Sequence, residues 1–336
     1  MTTKRMLKLS VLDQSVSVAG SSEDAAIRDT LDLAQHCERL GYARFWVSEH
    51  HGLPTIIGSA PEILMAAIAA RTTRIRIGSA GVMLPHYSAL KVAEQFRVLE
   101  ALAPGRIDLG VGRAPGGDMR TARALNPNAY AAADNFPEQV RDLQAWTLLP
   151  EHQGIAAHPF GPHAPEVWIL GSSNYGAQLA AHFGLPYAYA YFFVDGQGAD
   201  EALALYRRLY RPSERHPEPQ ATVCVWALTA DTHDAAAHHA LGRERWRVDR
   251  ARGLLGPLQA PDVIAERGFA AEEWPTVEAM RAKAFVGTAA EVGAQLRLLA
   301  DELALDEIVV NTWAHDPAVR RTSYALLAKE FELEAT

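Results

Sequence analysis

An alternation constrains this chain more than any other feature. Short β-rich runs bounded by turn residues recur between stretches of helical period, and the pattern repeats eight times along 336 residues. The β runs are LKLSVL (7–12), ARFWVSE (43–49), RIRIGSAGVML (74–84), RIDLGVG (106–112), EVWILGS (166–172), PYAYAYFF (186–193), ATVCVWAL (221–228) and DEIVVNT (306–312). Between the first two, Ile27, Leu31, Ala34 and Cys37 fall on one helical face; between the third and fourth, Val92, Phe96 and Leu99 do the same. SSED at 21–24 and SSN at 172–174 supply N-cap residues. Strands that alternate with helices are parallel and joined by right-handed crossovers. Eight such units predict an α/β fold, a closed (β/α)8 TIM barrel, in preference to an open doubly wound sheet.

The length suits one barrel domain over 1–336. Two spacers exceed what a barrel needs: 113–135 after strand four, and an insertion at about 247–285 after strand seven. Both are expected to build the substrate rim or a lid. With 49% hydrophobic and 21% charged residues, the chain can fill a large core. The 32 basic and 40 acidic residues leave a net charge of −8, which argues against nucleic-acid and anionic-membrane partners. The N-terminal MTTKRMLKLSVLDQS has no sustained apolar region, and APEILMAAIAA (60–70) is too short to span a bilayer and carries Glu62. A cytoplasmic location is expected. Cys37 and Cys224 show no CxxC spacing, so they read as buried thiols in a reducing compartment, with neither a redox motif nor a zinc site.

The chemistry of such a barrel sits at the C-terminal ends of its strands. Strand two ends in Ser48-Glu49-His50-His51. Adjacent side chains of an extended segment point to opposite sides, so the two histidines cannot easily share one metal ion. One can face the barrel mouth as a neutral base, with Glu49 orienting one of the pair, although a polar loop with incidental histidines has the same spacing. Strand three ends in Ser79-Ala80-Gly81-Val82, whose small residues admit either a flat ligand or a tight barrel corner. The turn Gly110-Val111-Gly112-Arg113-Ala114-Pro115-Gly116-Gly117 lacks GxGxxG spacing. Arg113 emerges there, where a guanidinium can clamp phosphate or simply face solvent. After strand five, Gly171, Ser172 and Ser173 place hydroxyls and free N–H groups at a helix N-terminus, which makes an anion site or an ordinary serine cap. Arg113 beside these serines points to phosphate more strongly than either feature alone. His238-His239 and GRERWRVDRAR (242–252) read as solvated helix faces, and His152, His158 and His163 lack metal-ligand spacing. Trp313 either walls a pocket or fills the core. A metal-dependent hydrolase barrel needs HxH after strand one, where this chain has VLDQS.

EHHG (49–52), GSAGVMLPHYSALKVAEQ (78–95), GRIDLGVGRAPGGD (105–118) and WILGSSNYGAQLAA (168–181), in that order, resemble the luciferase-like flavin monooxygenases. The resemblance runs over most of the chain and is weakest at about 247–285. It implies reduced FMN as cosubstrate, an FMN reductase that supplies it, molecular oxygen, and a small organic substrate such as an aldehyde or ketone. It implies that His50 is a base near the flavin and that Ala80-Gly81 is a non-proline cis peptide beneath the flavin ring. It matches Arg113 to the phosphate-binding arginine, and Gly171, Ser172 and Ser173 to the phosphate-binding turn. It further implies a homodimer formed through helices two and three. The long ordered lid of light-emitting members has no clear match here, so the resemblance is to the wider oxidoreductase family. Hydride transfer with FMN or a deazaflavin, and flavin binding without catalysis, are the competing readings.

Overall fold

The computed structural model describes residues 7–114 and 118–334. Its strands are β1 (Lys8–Asp13), β2 (Arg44–Val47), β3 (Arg76–Met83), β4 (Ile107–Gly112), β5 (Glu166–Gly171), β6 (Tyr187–Tyr189), β7 (Ala221–Thr229), β8 (Phe285–Gly287) and β9 (Glu307–Asn311). They pair in parallel in the order β6-β5-β4-β3-β2-β1-β9-β7, and a β6–β7 ladder closes the ring. This is the predicted eight-stranded TIM barrel, with helices between the strands. The short β8 lies outside the ring and was not predicted. It pairs with Ala227–Thr229, just beyond the stretch of β7 that pairs with β9. Three residues are too few to show a period in sequence.

Alternate residues of each strand point into the barrel. The lowest inward layer is ionic. The Arg44 guanidinium reaches Asp108 at 2.8 Å, Glu307 at 3.0 Å and Glu166 at 3.1 Å. The indole N–H groups of Trp46 and Trp168 donate to Asp108 and Glu166 at 2.9 and 3.1 Å. Burial alone would raise the Asp108 carboxyl, but the Arg44 and Arg76 guanidiniums outweigh it and hold it low. Two residues further along the strands, Leu12, Trp46, Trp168, Ala188, Cys224 and Val309 form an apolar layer. Gly78 makes room for the Trp46 ring, since a Cβ there would lie 2.5 Å from it. These two layers plug the barrel interior at its N-terminal end, so the space between the strands opens at the C-terminal mouth.

Amphipathic helices cover the outside. Glu23–Arg39 buries Thr30, Leu33, Ala34 and Cys37 and is capped by Ser22, whose side chain accepts from the Ala25 N–H. The first long spacer holds the helices Met119–Leu125 and Ala129–Asp134; Pro115, Gly116 and Gly117 of the glycine-rich turn lie outside the described residues. In the second, the helix His233–Ala251 runs on past residue 247 and is followed by Pro261–Arg267 and Trp274–Arg281. A buried two-pronged ion pair, Arg245 to Glu273 at 2.7 and 2.8 Å, ties this segment down. Backbone bonds from Leu258 N–H to Ser17 and from Ala19 N–H to Leu258 dock it on the loop after β1. Among the described residues, no helix is long and apolar enough to cross a membrane, and no cluster of His, Cys, Asp and Glu could hold a metal ion.

Candidate active site

A cavity of about 670 Å³ opens at the C-terminal ends of the strands. That volume lies within the usual range of small-molecule sites, roughly 300–1,000 Å³. His50, Ala80, Gly81 and Arg113 all line it, as do Gly171, Ser172 and Ser173. The residues singled out at the ends of strands two to five thus share one chamber.

His50 follows β2. Its backbone N–H donates to the Gly58 carbonyl at 2.8 Å, and its Nδ1 lies 3.1 Å from the Ser48 hydroxyl. Burial pushes the imidazole down to about 4; Glu49 opposes this, while His51 and Arg250 add to it. The ring is therefore neutral near pH 7. Glu49 orients the other histidine. Its Oε1 lies 2.8 Å from His51 Nε2 and accepts from the Tyr87 hydroxyl at 2.7 Å, and its Oε2 accepts from the Met83 N–H at 3.0 Å. His50 is the one that faces the cavity.

The Ala80–Gly81 peptide is cis, and the β3–β4 register shifts between Ser79 and Val82. β4 comes so close here that a Cβ on Gly81 would lie 2.8 Å from the Gly110 carbonyl oxygen. Only the Ala80 methyl projects from this step, which leaves a bare shelf of backbone at the mouth.

Arg113 stacks on Tyr175, its guanidinium carbon 4.1 Å from the ring centroid, and pairs with no carboxylate among the described residues. Stacking holds the planar group in place and leaves its N–H edge free. Beside it starts the helix Asn174–Phe183. Its N-cap residue, Ser173, is extended (φ −154°, ψ 167°), and its side chain makes no capping hydrogen bond. Ser22, Thr232 and Thr288 all cap their helices in the ordinary way. The Ser173 hydroxyl and the first-turn N–H groups are therefore available to an anion. The turn is held from behind, where Tyr189 and Tyr187 hydroxyls donate to the Ser172 and Ser173 carbonyls at 3.3 and 3.2 Å. A free guanidinium facing an uncapped helix N-terminus is a donor set that fits a phosphate.

The structure corrects one sequence reading. The arginine-rich stretch at 242–252 is not a solvated face: Arg243, Trp246, Arg247 and Arg250 line the cavity. Their i, i+3, i+4, i+7 spacing, with a tryptophan among the arginines, is the signal that was available. Arg247 grips Asp195 with two bonds of 2.6 and 2.7 Å. Trp313 walls the chamber, packed edge-on to Trp246 at 4.7 Å, with its indole N–H donating to Gln14 at 3.1 Å.

A family model described as luciferase-like monooxygenase matches residues 7–307. The luciferase-like monooxygenase of Escherichia coli strain K12 is 38% identical over 326 residues, covering 96% of this chain and 97% of that protein. The N-acetyl-S-alkylcysteine monooxygenase of Bacillus subtilis strain 168 is 35% identical over 334 residues, 96% of this chain and 98% of its own length. Among solved structures, apo-MsnO8 superposes with a TM-score of 0.91 at 36% identity, over 99% of each chain. The oxygenating constituent of 3,6-diketocamphane monooxygenase from a Pseudomonas putida plasmid, solved with FMN, shares the fold at a TM-score of 0.72 and 18% identity, over 98% and 99% of the two chains. By the extent of these matches, the chain belongs to the luciferase-like monooxygenase family.

Proposed function

We propose that the protein is a monooxygenase that takes reduced FMN from a separate FMN reductase and uses molecular oxygen to oxidise a small organic substrate such as an aldehyde or ketone. The observation that carries this reading is the convergence of a neutral imidazole, a bare backbone shelf and an uncommitted phosphate-type donor set on one cavity. Arg113, Ser172 and Ser173 would hold the FMN phosphate, with Gly171 leaving the backbone open to it. Ala80 and Gly81 would bed the ring. When bound, the reduced flavin supplies the electrons with which oxygen reacts. His50 is the base: Ser48 engages its Nδ1, leaving Nε2 to take up or return a proton. Trp246, Trp313 and Leu255 wall the chamber and limit access of water. The homodimer is proposed through the helices Pro61–Ala69 and Ala89–Leu102, which expose Ile63 (66%), Val98 (47%) and Leu102 (60%).

The test is oxygen uptake with photoreduced FMN across a panel of aldehydes and ketones. The name of the Bacillus relative ties that protein to N-acetyl-S-alkylcysteine, so this compound joins the panel. His50→Ala should keep FMN binding and lose turnover; full activity in that variant would end its assignment as base. Substrate turnover under anaerobic conditions would replace oxygenation with hydride transfer.

A further inference from the structure

The helix that follows β7, three strands round the barrel from Arg113, brings guanidiniums that the flavin reading leaves unused. Arg243, Arg247 and Arg250 stand at i, i+4 and i+7 of His233–Ala251, so one helical face presents all three to the cavity. Arg247 is satisfied by Asp195, whose two oxygens it takes at 2.6 and 2.7 Å. The other two guanidiniums make no ion pair or hydrogen bond with any described residue. Arg243 lies over the Trp226 ring at 4.2 Å, and Arg250 lies near Phe193 and Trp246 at 5.4 and 5.3 Å. Burial pushes the Arg243 guanidinium down, the Arg247 charge adds to this, and Asp195 and Glu244, neither in contact with it, offset it only in part. A desolvated cation without a counter-ion is costly, and a cavity wall is where a ligand can supply one. Arg250 is close enough to His50 to help keep its proton off, so this cationic wall borders the proposed base.

We infer that the substrate is a carboxylate: an organic acid whose anionic head is held by Arg243, with Arg250 guiding it at the rim and its apolar body against Phe192, Phe193 and Trp246. This identification of substrate class rests on the monooxygenase reading above. The two cationic poles of the cavity differ in a way that separates their ligands. The Arg113 pole adds serine hydroxyls and a helix N-terminus, a donor set for a dianionic phosphate. The Arg243 pole offers the Arg243 fork, with Arg250 at the rim, against the Trp226, Phe193 and Trp246 rings, and no serine hydroxyl beside it, which suits a planar monoanion.

The test is calorimetric titration of the full chain, with and without FMN, using 3-phenylpropanoate and its neutral counterpart 3-phenylpropanamide. The acid should bind at least about tenfold more tightly than the amide. Arg243→Met should bring the two within about twofold, while FMN affinity stays within about twofold of the parent. Arg113→Met should do the reverse, weakening FMN and leaving the acid preference. Equal binding of acid and amide by the parent overturns the proposal, as does a preference that survives both Arg243→Met and Arg250→Met. Loss of FMN binding in Arg243→Met also overturns it, because these guanidiniums would then serve the flavin. Should Arg243→Met fail to fold, Arg243→Lys, which keeps the charge without the fork, should still cut the preference severalfold, and an unchanged preference counts against the proposal. Failure of the parent to bind FMN strikes the flavin reading and leaves the acid–amide comparison to be read by itself.

Discussion

Lowering the pH tests the assignment of His50 more directly than removing its side chain. Burial takes the imidazole from an ordinary 6.5 to about 4. A depression of about 2.5 units corresponds to about 3.4 kcal/mol between the two protonation states. At pH 5.5 a ring titrating near 4 is about 97% neutral, against about 9% for one near 6.5. Catalysis that requires the neutral ring should therefore persist to about pH 5 and fall only towards pH 4. Stability follows the same sign. Between 6.5 and 4 the unfolded chain takes up a proton that the native ring refuses, so native stability declines as the pH falls, by up to about 3 kcal/mol for this residue, and is undiminished above 6.5. The assays are an NMR titration of the His50 ring, assigned by its absence in His50→Gln, and kcat/KM from oxygen uptake between pH 4.5 and 8. Because Arg250 contributes to the depression, Arg250→Gln should move the ring's midpoint upward. A parent ring that titrates at 6 to 6.5, or an acid limb centred there, would refute both the burial argument and the proposed role as a base that is neutral throughout this range.

Arg113→Met should weaken FMN binding by about 10- to 100-fold, the loss expected for a charge-assisted bond of about 1.5–3 kcal/mol, as read by flavin fluorescence titration. Arg44→Met should destabilise the fold by about 3–5 kcal/mol in urea melts, because it leaves the buried Glu307 without a cation and Asp108 and Glu166 with Arg76 alone; adding Glu307→Gln should recover part of that loss. Gly81→Ala should cost about 1–3 kcal/mol and impair FMN binding together, since the new methyl would meet the Gly110 carbonyl backbone rather than a side chain that can swing away. Ile63→Glu combined with Leu102→Glu should shift the protein to a monomer in analytical ultracentrifugation without lowering its thermal midpoint much; an unchanged mass would remove these helices as the dimer surface.

The barrel was legible because each wall strand is a short β-rich run between helical stretches, and local chemistry decides such elements. What could not be read were decisions made by tertiary neighbours. PYAYAYFF has a continuous strand signal to residue 193, yet β6 ends at Tyr189, and Tyr191–Phe193 turn in a short 3-10 helix that brings Phe192 and Phe193 to the cavity. Alternation predicted that His50 and His51 diverge, but which one faces inward depends on Glu49, whose oxygens are taken by His51, Tyr87 and Met83. The ionic base of the barrel left a faint trace: Arg44, Asp108 and Glu166 each stand two residues before an inward position of the next layer, in RFW, DLG and EVW. Charge at a strand start reads as solvent-facing unless the strand is known to close on itself.

Net charge is silent about the site for a related reason. A total of −8 describes an extended surface, and it argues against broad anionic partners. It says nothing of a concave site, because at physiological ionic strength charges beyond about 8 Å are largely screened. The cavity wall carries Arg113, Arg243, Arg247 and Arg250, while Glu49 is already taken up by His51 and Tyr87 and Asp195 by Arg247. The local balance is thus cationic within an acidic protein, and low-dielectric walls concentrate that field at the mouth. The cations are also divided. One pole sits beside an uncapped helix N-terminus on the β4–β5 side, and the other lies among aromatic rings after β7. One anion does not account for both. On the proposed placement, a flavin phosphate at the first pole leaves Arg243 and Arg250 to a second ligand that carries its own negative charge.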